Sequence, residues 1–366
     1  MKCLFIFRYF SLPLLCMVLL GACGKGSTGR HLSVGEPIMI EEFKMSEAPA
    51  SMSCFPNDEI GIKSIKVLDS LLIIGHSDHW SIYEKAQKQH TGNYLSIGDG
   101  PGEFLYVRPC SNAYFTLLND SLSALIPDED RHRVMKLNLR KCEAGDVSVP
   151  SVQLVSEYLE NRSWDVTVCG ENAFLVSQPH EDMKGFTRLL VEADGPHRLE
   201  CAVGLDTVKV KDNEAINLLS RVTRYEPTND KFVETMNYLN QINILSRDGK
   251  SGKTLCVGSH LDDLSIKEDT YNSPSRQHGY ITVAAWPVGF GAVYSGLTDE
   301  EWATSKDIES EFQFFDWDGN PKYRFKLPGY VLAFDIDFDE KIMYMVEEQE
   351  DVLKAYDATS IIDSLM

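Results

Sequence analysis

The chain has 366 residues, with 55 Asp and Glu against 35 Lys and Arg and a net charge of −20. That balance argues against nucleic acid, whose phosphates demand a basic face, and against lying flat on anionic lipid. At 43% hydrophobic residues it can bury a large core, as about two domains or as one closed all-β unit.

At the N-terminus, Lys2 and Arg8 precede Tyr9–Leu20, an apolar run broken only by Ser11 and closed by Leu20-Gly21-Ala22-Cys23. Charged, apolar and small-residue segments in that order are the layout of a secretory signal. The run is too short to span a bilayer, which takes about 20 apolar residues. The tetrad resembles the lipobox of bacterial lipoproteins, which implies cleavage after Ala22 and acylation of Cys23. Residues 1–22 are therefore expected to be a lipoprotein signal peptide. Residues 23–36, opening Gly24-Lys25-Gly26-Ser27-Thr28-Gly29-Arg30, are expected to be a flexible tether, and 37–366 the folded domain. Acidic residues directly after the lipidated cysteine typify surface-exported lipoproteins of Bacteroidetes; none follows Cys23, so the resemblance favours the periplasmic face of the outer membrane.

With Cys3 and Cys16 inside the expected signal peptide, six further cysteines, Cys54, Cys110, Cys142, Cys169, Cys201 and Cys256, are widely scattered with no CxxC spacing. They read as mostly reduced, buried small hydrophobes with one bridge possible, and give no zinc signal.

From about Ile60 the chain consists of short apolar runs separated by Asp, Asn and Gly turns. Ile65–Leu68 turns at Asp69-Ser70 into Leu71–Ile74. Ala113–Leu117 turns at Asp120-Ser121 into Leu122–Ile126. Glu171-Asn172 introduces Ala173–Val176, Val288-Gly289 introduces Phe290–Tyr294, and Asp339-Glu340 introduces Ile342–Val346. The turns fall at 69, 120, 171, 288 and 339, which are 51, 51, 117 and 51 residues apart. The long interval holds one divergent unit between residues 200 and 260. Its second strand is expected near Lys231–Tyr238, after the Thr228-Asn229-Asp230 turn, with an excursion over Val208–Tyr225 and a helical turn at Ala215–Leu219. Hairpins are expected at Gln241–Gly249 and at Phe312–Phe325, where Asp318-Gly319 supplies a positive-φ turn. Units of four short strands recurring every 40–50 residues read as propeller blades, so the expected fold is all-β, a six-bladed β-propeller.

Ile97-Gly98-Asp99-Gly100-Pro101-Gly102-Glu103-Phe104 resembles the Gly-x-Gly-Pro-Gly-Glu-Phe signature of TolB-like six-bladed propeller lipoproteins of Bacteroidetes. The Phe315–Asn320 hairpin and the Ala333–Asp337 strand are similar to that family's last two blades. The resemblance implies a six-bladed ring on a lipid anchor and carries no catalytic residues with it.

Gly98–Gly102 is glycine-rich, but Pro101 lacks the N–H that a phosphate cradle needs and Arg108-Pro109 follows where a helix should continue, so it reads as a blade-to-blade turn. Gly252-Lys253-Thr254 ends like a P-loop, but Arg247 stands where its first glycine belongs. Asp335, Asp337 and Asp339 share one strand face, a weak candidate for Ca²⁺ of the lactonase kind, although strand-end acids are usually just solvated. His76, His79 and His260 read as surface loop residues. No hydrolase elbow or zinc-protease motif occurs. The expected function is recognition of a protein or glycan, with membrane contact through the anchor, no nucleic acid and no cofactor; the competing reading is a Ca²⁺-dependent lactonase-like hydrolase. Strand faces of a propeller are consumed by packing, so specificity falls to loops. The longest polar inserts, Ser265–Gln277 and Leu297–Ile308, carry Tyr271, Arg276 and Trp302, the candidate partner-binding residues.

Overall fold

Each apolar pair forms the two inner strands of a four-stranded antiparallel sheet. In the computed structural model, residues 29–56, 59–118, 121–139, 153–157, 163–349 and 352–366 are described. The signal segment, Cys23 and Cys142 lie outside the described residues. His31–Met366 forms one compact unit built of six sheets. The innermost strands are Ser64–Leu68, Tyr114–Leu118, Asp165–Gly170, Arg221–Glu226, Tyr280–Trp286 and Val331–Asp337. They stand around a central channel. The second strands, such as Leu71–Gly75 and Gly289–Tyr294, are almost wholly buried, because both their faces meet a neighbouring blade.

The divergent unit is blade 4. Its second strand, Lys231–Met236, pairs with Arg221–Glu226 and Gln241–Ser246. The expected helical turn is a 3₁₀ segment, Asn213–Leu219, whose Ala215, Ile216, Leu218 and Leu219 are buried. The excursion ends at Ser220 rather than Tyr225, because the inner strand begins at Arg221. Both expected hairpins are present, with positive φ at Gly249 and Gly319.

Ring closure comes from the N-terminus. Ser51–Met52 pairs antiparallel with Val352–Asp357 and completes blade 6. Upstream, Ile38–Ile40 adds a parallel fifth strand to blade 4. Between them the chain crosses blade 5, where Arg324 donates to the Phe43 carbonyl at 2.8 Å and Tyr323 to the Glu47 carbonyl at 2.8 Å. The tether expected through residue 36 is corrected by this strap. Leu32 and Val34 are buried in the core, and the Val34 N–H donates to Thr254 Oγ1 at 2.8 Å. Apolar side chains at alternate positions dock there because the excursion before blade 4 leaves a hydrophobic bed. At the other terminus, Ile361, Ile362 and Leu365 of the Thr359–Leu365 helix are buried with the aromatic core of blades 5 and 6.

Strand direction divides the loops. Blade-to-blade connections and turns between second and third strands lie at the mouth where the inner strands begin, the entry mouth. First-to-second-strand turns lie at the exit mouth. Among the described residues, Cys54, Cys110, Cys169, Cys201 and Cys256 are free thiols, and burial pushes Cys110 up to about 12. No helix among them is long and apolar enough to cross a membrane.

Candidate functional site

The two polar inserts leave the same mouth and join. Gln277 bridges Thr298, the His278 N–H donates to the Leu297 carbonyl at 2.8 Å, and the Glu300 N–H to the Pro274 carbonyl at 2.9 Å. Each insert carries a short helix with a side-chain cap. Asp263 caps Leu264–Thr270, and Thr298 with Glu301 forms a capping box on Asp299–Thr304.

Asp299 is the hub. Its Oδ2 takes Arg276 Nε at 3.0 Å and its Oδ1 takes His278 Nε2 at 2.7 Å. Burial alone would push this carboxyl up, but the His278 and Arg276 hydrogen bonds outweigh it and hold the carboxyl below its ordinary range. The Arg276 guanidinium stacks between Tyr238 at 5.2 Å and Tyr271 at 5.4 Å. Tyr271, Arg276, Asp299 and Glu300 line an open cleft of about 650 Å³. Trp302 belongs to the same assembly without lining the cleft. It is 44% exposed, with its ring edge-on to Tyr330 at 6.3 Å. The structure thus brings Tyr271 and Arg276 into contact and leaves Trp302 presented beside them. Sequence reasoning missed Tyr238 and Asp299, although the Thr298–Glu301 spacing signals the helix start that fixes Asp299.

Asp335 and Asp337 both line the channel, and both are buried at 2% exposure, contrary to the expectation of solvated strand-end acids. Asp335 accepts from Trp286 Nε1 at 2.7 Å, the Val67 N–H at 2.9 Å and Lys66 Nζ at 2.9 Å, which ties blades 1, 5 and 6 together. Asp337 pairs with Lys85 and accepts the N–H groups of Asp339 at 3.1 Å and Glu340 at 3.0 Å. Their lone pairs are spent on protein donors, and Asp339 is exposed at the rim, so these residues do not fit a Ca²⁺ site. No group of three or more potential metal ligands converges among the described residues.

His76 is also corrected. It is 6% exposed, stacks on His79 at 4.4 Å and faces Glu59 at 3.2 Å, so it is a packed residue of blade 1. The glycine-rich element lies between blades 1 and 2 as expected, and its residues have structural work. Phe104 is fully buried, the Gly100 N–H donates to Glu103 Oε2 at 2.7 Å, and Arg131 and Arg133 clamp the Glu103 carbonyl at 2.7 and 2.8 Å. A Cβ on Gly98 would meet the Glu103 carboxylate, so a larger residue there would displace that side chain from its Gly100 contact.

A family profile described as TolB-like 6-blade propeller-like matches residues 62–339. Comparison with curated proteins gives no match. Among solved structures, a DUF4221 family member from Bacteroides vulgatus is similar at TM-score 0.54 and 12% identity, covering 86% of this chain and 97% of that one. The calcium-binding protein regucalcin from Agrobacterium tumefaciens reaches TM-score 0.42 at 10% identity, over 88% and 95% of the two chains. The first of these supports the fold; the second is too distant to inform the site.

Proposed function

The chain belongs to the TolB-like six-blade propeller-like family, and from that premise we propose that it is a lipid-anchored cell-envelope protein that recognises a protein or glycan partner without covalent chemistry. Recognition is assigned to the entry mouth of blade 5. The observation that carries this reading is the union of the two inserts into one capped assembly, with Arg276 held between two tyrosines and Trp302 exposed beside it. Rigid aromatic and Arg side chains on a fixed scaffold bind with little ordering cost. Arg276 also ties the inserts together, so Trp302 is the cleaner probe. Trp302→Ala is expected to leave the melting temperature unchanged while weakening capture of the native partner; unaltered capture would defeat the reading.

The anchor is assigned to Cys23, at the periplasmic face of the outer membrane. Its support is the lipobox-like tetrad behind a short apolar run. An alkyne fatty acid should label the wild-type chain and not Cys23→Ala. Equal labelling of both would remove the anchor from the account.

A further inference from the structure

Ser111, Thr223, Arg224 and Thr282 stand midway along the channel. These residues line both an exit-side chamber of about 540 Å³ and an entry-side chamber of about 240 Å³. Most charges facing the larger chamber are already matched. Lys66 pairs with Asp335 and Lys85 with Asp337. Glu226 folds back on its own turn, accepting the N–H groups of Thr228 at 3.0 Å and Asn229 at 2.7 Å. Arg224 is different. It donates Nη1 to the Thr223 carbonyl at 2.8 Å and Nη2 to Ser111 Oγ at 3.1 Å, both neutral acceptors. Among the described residues no carboxylate is in ion-pair contact with it. Burial pulls its guanidinium down to about 10, and the counter-charge of Asp165 offsets only part of that.

Around this cation the chamber wall includes the aromatic side chains of Tyr114, Phe115, Tyr225, Trp286, Phe334 and Phe338. A cavity of this size, walled by apolar and ion-paired side chains together and holding one cation outside an ion pair, has the form of a small-molecule site. The guanidinium fork matches a carboxylate, which would give Arg224 the direct ion pair it lacks. Exposed Asp69 and Asp339 at the exit rim repel anions in proportion to their charge, which disfavours a polyanion more than a monoanion.

We propose that the exit-side chamber binds a small monocarboxylic acid with an apolar body, its carboxylate on Arg224 and its body against the Trp286 and Phe338 walls. This site is separate from the loop cleft, and the two stand or fall independently.

The test uses the purified full-length chain and the pair 3-phenylpropionate and 3-phenylpropionamide, titrated by ligand-observed NMR. Wild type should prefer the acid by about tenfold, the worth of one charge-assisted contact. Arg224→Gln should abolish that preference while Trp302→Ala retains it. Val288→Trp, at the exit opening, should weaken binding of both compounds without touching Arg224, and it serves should Arg224→Gln fail to fold. Equal affinity for acid and amide, no binding of the acid, or acid binding unaffected by Val288→Trp would each overturn the proposal.

Discussion

Glu234 has no exposed surface, yet it holds a charge between two arginines. Arg188 donates from Nε at 2.8 Å and Nη2 at 2.8 Å, Arg221 Nε lies at 3.2 Å, and Arg188 Nη1 reaches Asp206 at 2.6 Å. The cluster joins blade 3, blade 4 and the helix between them. Burial pushes the Glu234 carboxyl up, and the arginines outweigh it, so the carboxyl sits below its ordinary 4.5. A depressed carboxylate pKa gives stability that is present above the unfolded value and lost as pH falls through the folded one. Glu234→Gln should cost about 3–5 kcal/mol at pH 7, where it leaves buried arginines uncompensated. The gap from wild type should narrow as pH falls below about 4.5, where Glu234 titrates in the unfolded chain. Urea unfolding at several pH values reads both effects, and a pH-independent gap would contradict the assignment. At this scale the sequence was least legible. Charges at Arg188 and Asp335 look like solvated strand positions until the partner blade, more than 40 residues away, closes over them.

The strap and the hidden blade belong to the scale of elements. All five repeat turns introduced strands whose apolar residues face neighbouring blades, and those could be read because burial on both faces leaves a continuous hydrophobic run. Blade 4's inner strand, Arg221-Val222-Thr223-Arg224-Tyr225-Glu226, faces the channel and carries charges, so the repeat spacing located only the second strand of this blade and the inner one read as part of the excursion. The closing strand Ser51–Met52 was not legible at all. Both residues are exposed and only backbone hydrogen bonds hold them, which leaves no side-chain pattern. The strap upstream has a direct consequence. Leu32→Ala should destabilise the protein by about 2–5 kcal/mol, as a buried core leucine does. Chemical denaturation measures this, and a change within about 0.5 kcal/mol, typical of surface sites, would return residues 31–36 to the tether.

For the molecule as a whole, the ring separates rigidity from recognition. Aromatic packing fixes blades 5 and 6: Phe312, Phe314 and Phe325 are fully buried, and Trp286 packs against both Phe314 and Phe334. On that base the blade 5 inserts project from one mouth with their own caps and ion pairs. The existence of these inserts was readable from their length and polarity. Their union around Asp299 was not, since it depends on two loops meeting at one end of the same blade. Placement at the entry mouth makes a directional claim that opposite faces of the ring should differ. A photo-crosslinking residue at position 302, installed in the full-length chain in native membranes, should trap a discrete partner, whereas the same residue at Glu340, exposed at the exit mouth, should not. Equal trapping at both positions, or trapping only at position 340, would contradict recognition through the blade 5 inserts.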